Sequence, residues 1–132
     1  QKKTSDLHNR IKIMEETDNA IFVSIHQNKF PDGKYSGTQV FYSPKTKDES
    51  QVLAQIIQDY IVNTLQKDNK RQIKECGTSV FLMYNAVKPA VLVECGFLSN
   101  YEETQRLKSS EYQKKIAFCI AMGIQNYLSV RS

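Results

Sequence analysis

Apolar residues recur along this chain with two periods. Leu7, Ile11 and Met14 fall at helical spacing, so the chain opens on an amphipathic helix ending near Asp18-Asn19. An apolar run follows at Ala20-Ile21-Phe22-Val23-Ser24-Ile25, and a second lies at Ala90-Val91-Leu92-Val93. Their length and β-branched content predict fully buried parallel strands. Thr38-Gln39-Val40-Phe41-Tyr42 alternates instead, which predicts a more exposed strand near a sheet edge. Val52, Leu53, Ile56, Ile57, Tyr60, Ile61 and Leu65 make one broad helical stripe, with Thr46 and Glu49 positioned to open it as a capping box. A last helix carries Ile116, Ile120, Ile124, Tyr127 and Leu128 on its apolar face, with Ser110 and Gln113 at its start.

Between these elements the pattern breaks. Phe30-Pro31-Asp32-Gly33-Lys34 is turn chemistry, and Lys67 to Lys74 is polar enough for an exposed loop. Ser79 to Tyr84 fits a strand or a short helix, which periodicity alone does not separate. Strands interleaved with helices predict a three-layer α/β/α fold around a mostly parallel sheet. With 132 residues the chain is one domain, small for a sheet covered on both faces, and it suits part of a larger unit.

Composition adds limits. Hydrophobic residues make up 40% and charged residues 24%, as in a folded globular protein rather than a disordered one. No apolar stretch approaches the ~20 residues that span a bilayer, and no secretory leader opens the chain. The net charge of +4 comes from scattered lysines without interleaved aromatic residues, so nucleic-acid binding has no support. Cys76, Cys95 and Cys119 lack the spacing of a disulfide framework or a thiolate zinc site.

Each of the two apolar runs leads into a chemically capable side chain, His26 after the first and Glu94 after the second. In open α/β sheets, ligands gather beyond the carboxyl ends of the strands. A lone histidine in that position is commonly structural. A carboxylate after four apolar residues must sit at an exposed strand end, pair with a cation such as a lysine, or hold a raised pKa as a general base. By strand alternation Cys95 points to the opposite face from Glu94.

The blocks SIHQN at 24–28, YSGTQVFY at 35–42, KPAVLVECGFLSN at 88–100 and YQKKIAFCIAMGIQNYL at 112–128 together resemble the zinc-dependent N-acetylmuramoyl-L-alanine amidases, most of all the CwlD-type enzymes of spore cortex maturation. The resemblance runs in order over nearly the whole chain. It implies a mostly parallel sheet between helices, His26 as a ligand of one catalytic zinc, and Glu94 as the general base. It implies hydrolysis of the amide between the lactyl group of N-acetylmuramic acid and L-alanine in peptidoglycan, preceding conversion of the exposed muramic acid to its δ-lactam. Asn28 falls where it could bind substrate or support the strand end. The implied setting is the cell envelope, reached by export, with an activating protein as a further partner.

Two zinc ligands of that family come from an upstream histidine turn and a helical glutamate, and neither block is present. His8, with Glu15 and Glu16 farther along its helix, is the only other histidine and reads as a solvated surface residue. The expectation is a chain that lacks the first strands of the sheet, stays metal-poor and inactive alone, and becomes competent with the missing amino-terminal segment. Two alternatives remain open: a non-catalytic wall- or partner-binding module of the same fold, and another metal hydrolase such as a carboxypeptidase.

Overall fold

A computed structural model describes residues 2–28, 36–97 and 100–131. In chain order it holds α1 (Lys2–Glu16), β1 (Phe22–Asn28), β2 (Gln39–Tyr42), α2 (Lys47–Leu65), β3 (Lys74–Glu75), α3 (Phe81–Tyr84), β4 (Ala90–Phe97), α4 (Tyr101–Lys108) and α5 (Ser110–Val130). The turn expected at Phe30–Lys34 lies outside the described residues.

The strands order as β1-β4-β2-β3. β1 and β4 run parallel, as do β2 and β3, whereas β2 runs antiparallel to β4. The sheet is therefore mixed, with β2 running against the direction of β1. α2 then supplies the crossover that lets β3 lie parallel to β2.

Alternation along the strands divides the core into two layers. Val40, Val91, Val93 and Cys95 face α2 and α5, where they pack with Leu53, Ile57, Ile61, Ile116, Cys119 and Ile120. Leu92 and Ala90 face the other way and pack with Met14 of α1, Met83 of α3 and Ala86. Helices on both sides of one sheet give the three-layer architecture that the pattern predicts. α2 and α5 cross closely at Gly123, where a methyl would lie 2.9 Å from Ile57 Cγ1.

Several local expectations change. Within the described residues β1 is the outer strand and is not fully buried: Ile25 is 57% exposed, because no strand pairs on its outer side. β2 is an interior strand with Val40 and Tyr42 buried, since the short β3 lies outside it. Thr46 precedes α2 but makes no side-chain cap; its hydroxyl instead donates to the Lys88 carbonyl (3.0 Å) and meets Ser50 Oγ (2.9 Å). Ser109, rather than Ser110, caps α5 by accepting the Tyr112 N–H (3.3 Å). The segment at 79–84 resolves into the single helical turn α3. The 67–74 stretch is loop until it ends in β3, and Asn69 and Arg71 are half-buried within it.

Candidate active site at the carboxyl end of β4

His26 and Glu94 stand directly opposite each other in the parallel β1–β4 pair. Residues in register on neighbouring strands rise from the same face, about 4.8 Å apart at the backbone. The two side chains that sequence reasoning singled out therefore share one face of the sheet. Each strand continues past its residue, β1 to Asn28 and β4 to Phe97.

Their environments differ. Glu94 is fully buried, so the sequence expectation of an exposed strand end does not hold. Burying a carboxylate is costly unless donors reach it; the Gly96 backbone N–H does so, donating to Oε1 at 3.2 Å. A bulge makes that possible. Between the pairs His26↔Glu94 and Asn28↔Phe97, β4 advances one residue more than β1, and such irregularities turn backbone groups out of the ladder. His26, by contrast, is exposed at the rim, and its Nε2 shares a hydrogen bond of 2.7 Å with Ser24 Oγ. Ser24 and His26 are two apart on one strand and so lie on one face. A hydrogen bond to one ring nitrogen is the usual way to orient a ligand imidazole.

Gln39 completes the row on the other side of Glu94, being its register partner in the antiparallel β4–β2 pair. Its amide is pinned by donation from Nε2 to the Gln72 carbonyl (2.8 Å) and by acceptance from Arg71 Nη1 at Oε1 (3.3 Å). Arg71 Nε also donates to the Ser36 carbonyl (2.7 Å). Sequence reasoning did not single out Gln39 or Arg71. Strand alternation on β2 carried a signal for Gln39, whereas Arg71 reaches the site from a loop with no periodicity to mark it.

Behind Gly96 lies Glu103 of α4, buried, with its Oε2 accepting the Gly37 N–H at 2.7 Å. A methyl on Gly96 would overlap that carboxyl, which accounts for glycine there. Gly37 itself has φ +90°, a left-handed conformation natural to glycine. Asn100 acts as the N-cap of α4, its Oδ1 accepting the Glu103 N–H (3.0 Å), and not simply as a turn residue.

Of the remaining candidates, the backbone of Asn28 is in β1 while its side chain lies outside the described ones. His8 sits on α1 in a T-shaped contact with Phe81, 5.2 Å between ring centroids. Cys95 faces the α2–α5 layer, and its thiol is pushed up to about 11 by burial and then by the neighbouring Glu94 charge. A thiol so held is a poor nucleophile at neutral pH.

A catalytic zinc takes three protein ligands and leaves one position open. Among the described residues no three His, Cys, Asp or Glu side chains come together. The donors described here therefore do not by themselves fit a zinc site: His26 has the right chemistry and the right neighbour, but the count falls short.

The family model for N-acetylmuramoyl-L-alanine amidase matches residues 1–126. The germination-specific N-acetylmuramoyl-L-alanine amidase of Bacillus subtilis is 36% identical over 129 residues, covering 98% of this chain and 53% of its own length. The structure of the CwlD amidase from Clostridioides difficile, solved in complex with the GerS lipoprotein, superposes with a TM-score of 0.90 at 42% identity, covering 98% of this chain and 65% of that one. The catalytic domain of CwlV, the amidase of Bacillus (Paenibacillus) polymyxa var. colistinus, gives 0.80 at 31%, covering 94% and 66%. The chain thus spans about half the length of the curated relative and about two thirds of these structures. With its four sequence blocks, its strand-end pair and a family match over nearly its full length, the chain belongs to the N-acetylmuramoyl-L-alanine amidases and is similar within them to the CwlD type.

Proposed function

We propose that this chain supplies the general base and one metal ligand of an enzyme that hydrolyses the amide between N-acetylmuramic acid and L-alanine in peptidoglycan, in spore cortex maturation. The observation that carries the reading is the register pairing of His26 with Glu94 on one face at the strand ends. Family membership supports the substrate class, and the similarity to a germination-specific relative supports the cortex role.

An unstrained amide is a poor electrophile and water a poor nucleophile. Glu94 takes the proton of the attacking water and later delivers it to the departing amine of L-alanine. A positioned carboxylate of this kind contributes about 10²–10⁴-fold. The Gly96 N–H on Oε1 holds the buried carboxylate in one orientation for that step. His26, oriented by Ser24, presents its ring beside that water.

The zinc that the family resemblance implies needs donors beyond those that the described residues bring together. The reading also places the working enzyme on the envelope side of the membrane; among the described residues no helix is long and apolar enough to cross one. A protein partner belongs to the reading as well, since the Clostridioides difficile relative was solved with a lipoprotein.

Digestion of purified peptidoglycan by the full-length protein tests the proposal. Free muramoyl groups with new L-alanine amino termini are expected. Release of terminal amino acids instead would make the protein a peptidase, and capture of the wall without cleavage would make it a binding module.

A further inference from the structure

The β2–β4 ladder stops short of the point where two glycines would meet. Its last register pair toward the end of β4 is Gln39↔Glu94, and the antiparallel count beyond it sets Thr38 level with Cys95 and Gly37 level with Gly96. Side chains take over there. Thr38 Oγ1 donates to the Cys95 carbonyl (2.9 Å), the Thr38 N–H donates to Gln66 Oε1 (3.0 Å), and the Gly37 N–H donates to Glu103 Oε2 (2.7 Å).

Glu103 comes from the first turn of α4 and is buried. A Cβ on Gly96 would lie 2.7 Å from its Cδ and 2.9 Å from its Cγ, so this side chain fills the volume that any larger residue at 96 would need. It therefore touches β4 at one glycine and β2 at the other. Gly96 is also the residue whose N–H reaches Glu94 Oε1 (3.2 Å), and it does so from the bulge between the pairs His26↔Glu94 and Asn28↔Phe97. A bulge breaks the regular ladder, so its geometry depends on what packs against it.

We propose that Glu103 is a positioning residue for the amide hydrolysis: it acts through Gly96, filling the space against the bulge and tying it to Gly37, and so keeps the Gly96 N–H aimed at Glu94. The inference rests on the amidase reading and extends it from the base to the group that holds the base in place. The role calls for volume, reach and an acceptor oxygen rather than for charge. Arg106 Nη2, 4.0 Å from Oε2 and half exposed, adds little to it. A base that loses its direction fails in the transition state while substrate still binds, so the loss belongs in kcat and not in KM.

The test measures muramoyl release from a soluble muramoyl peptide by the full-length protein, and amide hydrogen exchange by NMR in the present chain. Glu103→Ala should lower kcat at least about tenfold with KM within about twofold. Glu103→Asp, which keeps the charge but is one methylene short of Gly37, should show the same split. Glu103→Gln, which keeps volume and acceptor, should recover kcat to within about threefold of the parent. In the present chain the Gly96 and Gly37 amides should exchange at least about tenfold faster in the Ala and Asp variants while the Val93 amide is unchanged. Thr104→Ala removes a hydroxyl that donates to the Asn100 carbonyl (2.9 Å) at the start of the same helix, and should leave kcat near the parent value. The proposal is overturned if the Asp variant is active and the Gln variant is not, which would make charge the requirement, if Thr104→Ala lowers kcat as far as Glu103→Ala, or if Gly96 exchange does not respond. Failure of the amidase reading looks different: the exchange response at Gly96 would persist while the unsubstituted full-length protein released no muramoyl product.

Discussion

Gln58→Leu should cost the protein about 2–4 kcal/mol, although it replaces a polar side chain on a helix with an apolar one of similar size. Gln58 is 2% exposed on the inner face of α2. Its amide serves β2 as a neighbouring strand would, with Oε1 accepting the Val40 N–H (2.9 Å) and Nε2 donating to the carbonyls of Thr38 (3.1 Å) and Arg71 (3.3 Å). Leucine orphans the buried Val40 N–H, at about 1–3 kcal/mol, and forfeits net hydrogen-bond contributions of about 0.5–1.5 kcal/mol apiece on the acceptor side. The lower end of that second range applies at Thr38, whose carbonyl keeps Asn69 Nδ2 as a donor (2.8 Å). Urea unfolding reads the effect: with m unchanged at about 2 kcal/mol per M, the middle of the range for a small domain, the midpoint should fall by about 1–2 M. The change also frees the Arg71 carbonyl, so it should loosen the loop beside Gln39. A midpoint within about 0.3 M of the parent would refute the reasoning, because it would mean that the helix amide does not substitute for a strand partner.

If the proposed roles hold, Glu94→Gln in the full-length protein should abolish muramoyl release while retaining zinc, whereas His26→Ala should lose both; equal zinc loss in the two variants, by elemental analysis after dialysis, would contradict their division of labour. The present chain alone should hold well under one equivalent of zinc by the same measurement, and one retained equivalent would refute the reading that donors are missing. Gly123→Ala gains up to about 1 kcal/mol of helix propensity but presses a methyl against Ile57 Cγ1 (2.9 Å) and Cα (3.2 Å), and overpacking of about 1–3 kcal/mol should win; a raised Tm would show that α2 and α5 can separate without cost. Burial pushes the Cys76 and Cys95 thiols up from 9.0 to about 11. The folded state then keeps protons that the unfolded state has lost, so stability is full below pH 9 and declines as pH rises toward 11. Urea midpoints across that range should fall, and less steeply in Cys76→Ala/Cys95→Ala.

Where a residue's role depends on its own strand or helix, the sequence was enough to find it. Period-two alternation put Glu94 and Cys95 on opposite faces, and helical spacing put Ile57, Ile61, Ile116 and Ile120 in one layer. Buried β4 reads as a continuous apolar run because helices cover both its faces. Roles that depend on partners distant in sequence were not legible. Ala20–Ile25 has the same composition as a buried strand, yet β1 is the outer strand here, since nothing in a strand's own residues states how many neighbours it has. Thr46 fits a capping box by spacing but donates its hydroxyl to the Lys88 carbonyl, a tertiary competitor invisible at short range. Glu103 and Arg71 reach the site from α4 and a loop, and their sequence surroundings are those of ordinary surface charges.

The two halves of the site are held with unequal rigidity, and the chemistry asks for that inequality. Glu94 stands on a strand paired on both sides, with the next carbonyl, that of Cys95, accepting from buried Thr38 Oγ1 (2.9 Å) and Gly96 packed on Glu103. Moving this carboxylate would break several buried contacts together. His26 stands on the outer strand, exposed, steadied by Ser24 and by one ladder. Strands with few buried contacts open at lower free energy than the core. A general base acts over hydrogen-bond distances and needs its direction set beforehand. A metal ligand can be drawn into place by the bond it forms, because metal binding itself contributes ordering free energy. In the proposed mechanism the central strand therefore carries the residue whose geometry must pre-exist, and the strand that is outermost among the described residues carries the one whose geometry a metal would complete.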